Sequence, residues 1–171
     1  GTRSISLEKC GEAFTTINPS PINNTSSVVS ADGVKLTWKQ DPLFNPFEYT
    51  IFQSQNSGTF NEVGKTSGIE FSDTDYTTAS NSCYRINYSD LCDNQSQQGS
   101  LICPVKLSYT IDNKNAITLR WSKLNGWNNG VKQYSIEKYD KSGGLMSTTS
   151  VGTDTVFIDD RWGFVKGAQE A

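Results

Sequence analysis

The feature that most constrains this chain is that it repeats itself. Gly33-Val34-Lys35-Leu36-Thr37-Trp38 returns as Ala116-Ile117-Thr118-Leu119-Arg120-Trp121. Glu48-Tyr49-Thr50-Ile51 returns as Gln133-Tyr134-Ser135-Ile136, and Glu70-Phe71-Ser72-Asp73 as Val156-Phe157-Ile158-Asp159. The tryptophans are 83 residues apart, the tyrosines 85 and the phenylalanines 86. Landmarks in a common order, with a slowly drifting offset, are what two copies of one unit give when loops lengthen between them. The 171 residues then divide into two small units and not one large domain.

The rhythm inside each copy is that of a β-strand. Val34, Leu36 and Trp38 alternate with Lys35, Thr37 and Lys39. Ile117, Leu119 and Trp121 alternate with Thr118, Arg120 and Ser122. Period-two alternation puts the first set of each on a buried face and the second in water. Tyr49 and Ile51, Tyr134 and Ile136, and Tyr84, Ile86 and Tyr88 repeat the pattern. Turn dipeptides separate the runs at Asp32-Gly33, Ser57-Gly58, Asn125-Gly126, Asn129-Gly130 and Gly143-Gly144. No stretch sustains a 3.6-residue period, so many short strands predict an all-β sandwich.

Composition narrows the chemistry. Histidine is absent, which excludes histidine bases and histidine-ligated metals. A net charge of −3 gives no electrostatic reason to bind nucleic acid or an anionic membrane. No apolar run approaches the roughly 20 residues of a membrane-spanning helix, and the first residues show no charged-then-apolar leader. Serine and lysine are plentiful, but no G-x-S-x-G context marks a nucleophile. Acidic residues approach one another at Asp73 and Asp75, Asp90 and Asp93, and Asp159 and Asp160. Their spacing fits no EF-hand and reads as turn chemistry. The sequons at Asn23, Asn24, Asn87 and Asn94 are what chance gives in a chain this rich in Asn, Ser and Thr. No catalytic residue, cofactor or metal site is therefore expected. The four cysteines Cys10, Cys83, Cys92 and Cys103 contain no C-x-x-C pair. An even count in a small strand-rich chain points to disulfides and an oxidising compartment. Three pairings are open on the count alone.

A unit of about 85 residues, with a tryptophan on its second strand and a tyrosine on a late one, resembles the fibronectin type III family. The resemblance implies tandem immunoglobulin-like sandwiches, with an N-terminal segment 1–20 (the last strand of a preceding unit or an added edge strand), a first unit 21–104 and a second unit 105–171. It implies strands at 21–28, 33–39, 47–53, 59–63, 68–72, 82–88 and 99–104 in the first unit. In the second it implies strands at 106–111, 116–122, 132–138, 144–150 and 154–158. Tyr84 would serve as the tyrosine corner. The second unit lacks a counterpart of Cys83-Tyr84-Arg85-Ile86, so its last two strands are expected to lie in a longer protein or to come from another chain. In that fold Cys83 and Cys103 share one pole of the first sandwich, which implies a Cys83–Cys103 bond. Cys10 and Cys92 would share the other pole and pair there.

Two segments narrow the resemblance. Trp121-Ser122-Lys123-Leu124-Asn125-Gly126-Trp127 is one; Cys83-Tyr84-Arg85-Ile86, Asp90-Leu91-Cys92-Asp93 and Leu101-Ile102-Cys103-Pro104 form the other. Together they are similar to repeats of Bacteroidetes cell-surface proteins of the gliding-motility-associated, type IX secretion class. That resemblance implies a non-catalytic, extracellular module exported through the outer membrane, adhesin-like or motility-related, with a protein or glycan ligand. The alternatives are an accessory sandwich of a secreted carbohydrate-active enzyme or a subunit of an envelope complex. Trp127, Phe44 and Phe47 fall in corresponding loops and form the candidate contact surface.

Overall fold

The computed structural model describes residues 19–39, 46–90, 94–127 and 129–160. Every regular element among them is a strand. In the first unit these are β1 (Ser26–Ser30), β2 (Gly33–Thr37), β3 (Pro46–Gln55), β4 (Asn61–Thr66), β5 (Glu70–Asp73) and β6 (Ser82–Asp90). In the second they are β7 (Leu107–Ile111), β8 (Ile117–Trp121), β9 (Tyr134–Tyr139), β10 (Leu145–Gly152) and β11 (Val156–Asp159).

The first unit is a sandwich of two sheets, ordered β1-β2-β5 and β4-β3-β6, with every pair antiparallel. This is the strand arrangement of a fibronectin type III sandwich. Its core is the alternating set read from the sequence: Val34, Leu36 and Trp38 from β2 and the residue after it, Tyr49 and Ile51 from β3, and Tyr84, Ile86 and Tyr88 from β6. Ile22 and Ile102 close its ends. Trp38 meets Tyr49 edge-on and Tyr49 meets Tyr88 tilted through the middle, with centroids 5.1 and 5.8 Å apart. Such geometries suit aromatic quadrupoles.

The first and last strands of this sandwich are less regular than expected. The chain first runs beside residues 97–100, where Pro19 and Ile22 carbonyls accept from Gln97 and Ser100 amides, and only then crosses to pair β1 with β2. Residues 95–102 lie along β6 through two isolated bridges, Ser89↔Gln95 and Tyr84↔Ile102. The register slips by two residues between them because the amides of Gln97 and Ser100 are spent on the entering chain. Gly99 sits in the gap. A Cβ there would stand 2.7 Å from the Ile86 carbonyl and 2.8 Å from that of Ile22.

The second unit repeats the first five strands of the first. Its sheets are β11-β8-β7 and β10-β9. Leu36 faces Phe71 across β2–β5, and Leu119 faces Phe157 across β8–β11. The Trp38 amide bonds the Ile69 carbonyl at 3.1 Å, and the Trp121 amide bonds that of Thr155 at 3.0 Å. Trp121 meets Tyr134 edge-on at 5.7 Å, as Trp38 meets Tyr49. These are the landmarks of the sequence repeat, now in equivalent positions.

The two units differ in closure. β3 is bonded on both edges, by β4 and β6, whereas among the described residues β9 is bonded by β10 alone. Leu107, Tyr109 and Ile111 stand opposite Trp121, Leu119 and Ile117 on the inner face, yet remain 54–65% exposed. An inner face left this wet forgoes the burial that drives sandwich packing, worth roughly 25 cal/mol per Å². Residues 161–171, on which the expectation about the chain's last segment falls, lie outside the described residues.

Candidate functional site

Several described carboxylates are committed to the fold. Asp73, at the end of β5, accepts from the Tyr84 hydroxyl at 2.6 Å, the Gln53 amide at 2.8 Å and the Asp75 backbone at 3.0 Å. Burial pushes the Tyr84 phenol well above its ordinary range, and the Asp73 hydrogen bond pushes it further, so it stays a donor. A tyrosine corner bonds backbone; here the hydroxyl instead ties β6 to β5 through a side chain. In the second unit the same place is held differently. Lys138, aligned with Gln53 by the 85-residue offset, pairs with Asp159, aligned with Asp73, at 2.8 Å. The Asp90 carboxylate accepts from the backbone and side chain of Asn94. The Asp140 carboxyl is held below its usual range by the Ser142 hydroxyl and the Gly144 and Ser142 amides of its turn. Among the described residues no group of three or more His, Cys, Asp or Glu could hold a metal ion.

The Tyr84 arrangement has a consequence at high pH. A phenol whose folded pKa lies above its unfolded value near 10 stabilises the fold fully below about pH 10. Above that, the unfolded chain releases a proton that the native state retains, so stability falls as pH rises, by up to about 1.4 kcal/mol per unit per such group. Denaturant melts between pH 8 and 11 should show this decline, and Tyr84→Phe should flatten it. An unchanged slope in that variant would contradict the assignment.

Cys83 and Cys103 form a disulfide, with Cα atoms 4.2 Å apart. It joins the start of β6 to the segment that leads into the second unit. The expected partners Cys10 and Cys92 lie outside the described residues. Beside the bond is a cleft of about 390 Å³ between the units, lined by Tyr76, Asn81, both cysteines, Lys106 and Lys123.

Of the three loop aromatics, Phe44 and the side chain of Phe47 lie outside the described residues. Trp127 is described, and it sits at the junction. Its indole N–H donates to the Thr25 carbonyl of the first unit at 3.0 Å. The preceding Gly126 has φ +109°, and a Cβ on it would reach Ile102 at 3.4 Å, so the loop lies close on the first sandwich. The ring nevertheless remains 44% exposed. It walls a cleft of about 440 Å³ with Asn24 and Ser26 from one unit and Asn129, Lys132 and Gln133 from the other.

No protein-family model matches the chain, and no curated protein does. Among solved structures, the chain is similar to the twitchin kinase region of C. elegans, at 19% identity and TM-score 0.46, over 59% of this chain and 19% of that one. It is also similar to a segment of two fibronectin type III domains of chicken tenascin, at 17% identity and TM-score 0.30, over 83% and 82%. The chain thus spans about a fifth of the twitchin region. The sandwich reading rests on the strand order and register above.

Sequence reasoning singled out Trp127 by type and loop position but left its anchor unseen. Thr25 lies 102 residues away, and nothing local to either residue signals their bond. The polar neighbours contributed by the first unit were missed for the same reason. No helix of the described residues is long and apolar enough to cross a membrane.

Proposed function

We propose that this chain is a non-catalytic structural and binding module of a large secreted or cell-surface protein, adhesin-like or gliding-motility-associated. The observation that carries this reading is that carboxylates at strand ends and turns, where a catalytic pair would be sought, are spent on the fold. The carboxylates of Asp73, Asp90, Asp140 and Asp159 each hold an internal hydrogen bond or ion pair. The sequence holds no histidine to act as base. The Cys83–Cys103 disulfide supports an oxidising, extracellular setting. The repeat supports a spacer role, because stacked sandwiches project a surface without needing a pocket.

A second reading, a subunit of an envelope complex, is supported by β9 being bonded, among the described residues, by β10 alone and by the wet inner face of the second unit. Such an edge is a ready template for a strand from elsewhere. Both readings lack chemistry, so one assay tests them together. Purified chain incubated with generic esters, peptides and glycans should show no turnover above background. Robust turnover lost on replacing a loop carboxylate such as Asp140 would overturn both.

A further inference from the structure

The cleft around Trp127 has a composition that suits one class of ligand. Its single large apolar surface is the flat indole, 44% exposed, and the N–H bond to the Thr25 carbonyl holds that ring in one orientation. Around it stand the amides of Asn24, Asn129 and Gln133, the Ser26 hydroxyl and the Lys132 ammonium. Among the described residues none of these five heads is held by another group, and no carboxylate lines the cleft. A protein hot spot would surround the tryptophan with further apolar contacts that exclude water. A sugar ring asks for the opposite: one aromatic face for its C–H groups, and a rim of paired donors and acceptors for its hydroxyls. The volume of about 440 Å³ lies in the range of small-ligand sites, roughly 300–1,000 Å³.

We propose that this junction cleft is a glycan-binding subsite in which a pyranose ring stacks on Trp127. The amides of Asn24, Asn129 and Gln133 bond its hydroxyls, and Lys132 favours sugars that carry a carboxylate or sulfate. The proposal rests on the reading of the chain as a binding module and specifies its ligand. Because the rim comes from both units, the site exists only while the junction is formed.

The test is calorimetric titration of the whole chain with cellohexaose, mannohexaose, trigalacturonate and a heparin-derived hexasaccharide. At least one should bind saturably, with the acidic sugars ahead of the neutral ones. Trp127→Ala should weaken that binding at least tenfold. Asn129→Ala and Lys132→Ala, both exposed and outside the core, should weaken it at least threefold with unchanged thermal melts, and they decide the matter if Trp127→Ala does not fold. Absence of saturable binding by every sugar, or binding indifferent to these substitutions, would overturn the site. So would capture of a protein partner through Trp127 with no sugar bound. Reducing ends are measured in the same samples. Their release would count against the non-catalytic reading, whereas lost binding without release overturns the subsite alone.

Discussion

Replacing Trp38 by alanine should destabilise the first sandwich by about 3–5 kcal/mol, the range for truncating a buried tryptophan. The indole is only 3% exposed, on a core that also contains Leu36, Tyr49 and Tyr88, and it meets Tyr49 edge-on. No neighbour can move in without breaking a ladder: β2 is bonded to β1 and β5, and β3 to β4 and β6. The cavity therefore stays open, and its cost adds to the lost burial. Against a whole-domain stability of about 5–15 kcal/mol, that loss brings the first unit near its unfolding threshold. Trp121→Ala should cost less. Its neighbours Leu119, Tyr134 and Phe157 are only half buried, so less burial is lost with the ring. Chemical denaturation of the two variants measures both. A loss under about 1 kcal/mol for Trp38→Ala, or a larger loss for Trp121→Ala, would show that the closed and open units have been misassigned.

The second large effect belongs to the disulfide. Cys83 and Cys103 are 20 residues apart in sequence. In the chain-entropy model a loop of that size constrains the unfolded chain by about 3 kcal/mol. The bond has a second effect in the native state. Between β6 and residues 95–102 the ladder is reduced to two bridges with a two-residue slip, so the disulfide fixes a seam that hydrogen bonds hold weakly. Cys83→Ser with Cys103→Ser should lower the stability of the first unit by about 3 kcal/mol and leave the second unit's transition in place. Non-reducing peptide mapping of the parent chain should return a Cys83–Cys103 peptide, and the same map reports whether Cys10 is joined to Cys92. A Cys83–Cys92 peptide would contradict the strand order at the end of the first sandwich.

Most of the strand plan was legible because it depends on local alternation. Val34, Leu36 and Trp38, or Tyr84, Ile86 and Tyr88, declare a buried face without reference to anything distant, and the repeat then supplies topology. The structure departs from that reading where hydrogen bonds are traded between segments far apart. Residues 99–104 were expected as a regular strand, but the amides of 96–102 serve both β6 and the entering chain at Pro19 and Ile22. Tyr84 was expected to bond backbone. It bonds Asp73 instead, a partner fixed by the packing of two sheets and not by spacing. The candidate site shows the same division. Trp127 was visible as a loop aromatic, whereas its fixed orientation and part of its rim come from residues about 100 positions earlier, as in the bond to Thr25.

Among the described residues, β3 is bonded on both edges and β9 on one, so the two copies of the sandwich differ in closure there. Hydrogen–deuterium exchange of the whole chain tests it most directly, because amides buried in a sealed sheet exchange only through large-scale opening. Peptides from β3 and β6, whose Ile51 and Ile86 are fully buried and paired across the sheet, should exchange at least about a hundredfold more slowly than the equivalent peptide from β9. Equal protection of β3 and β9 would contradict this, since it would mean that β9 too is bonded on both edges.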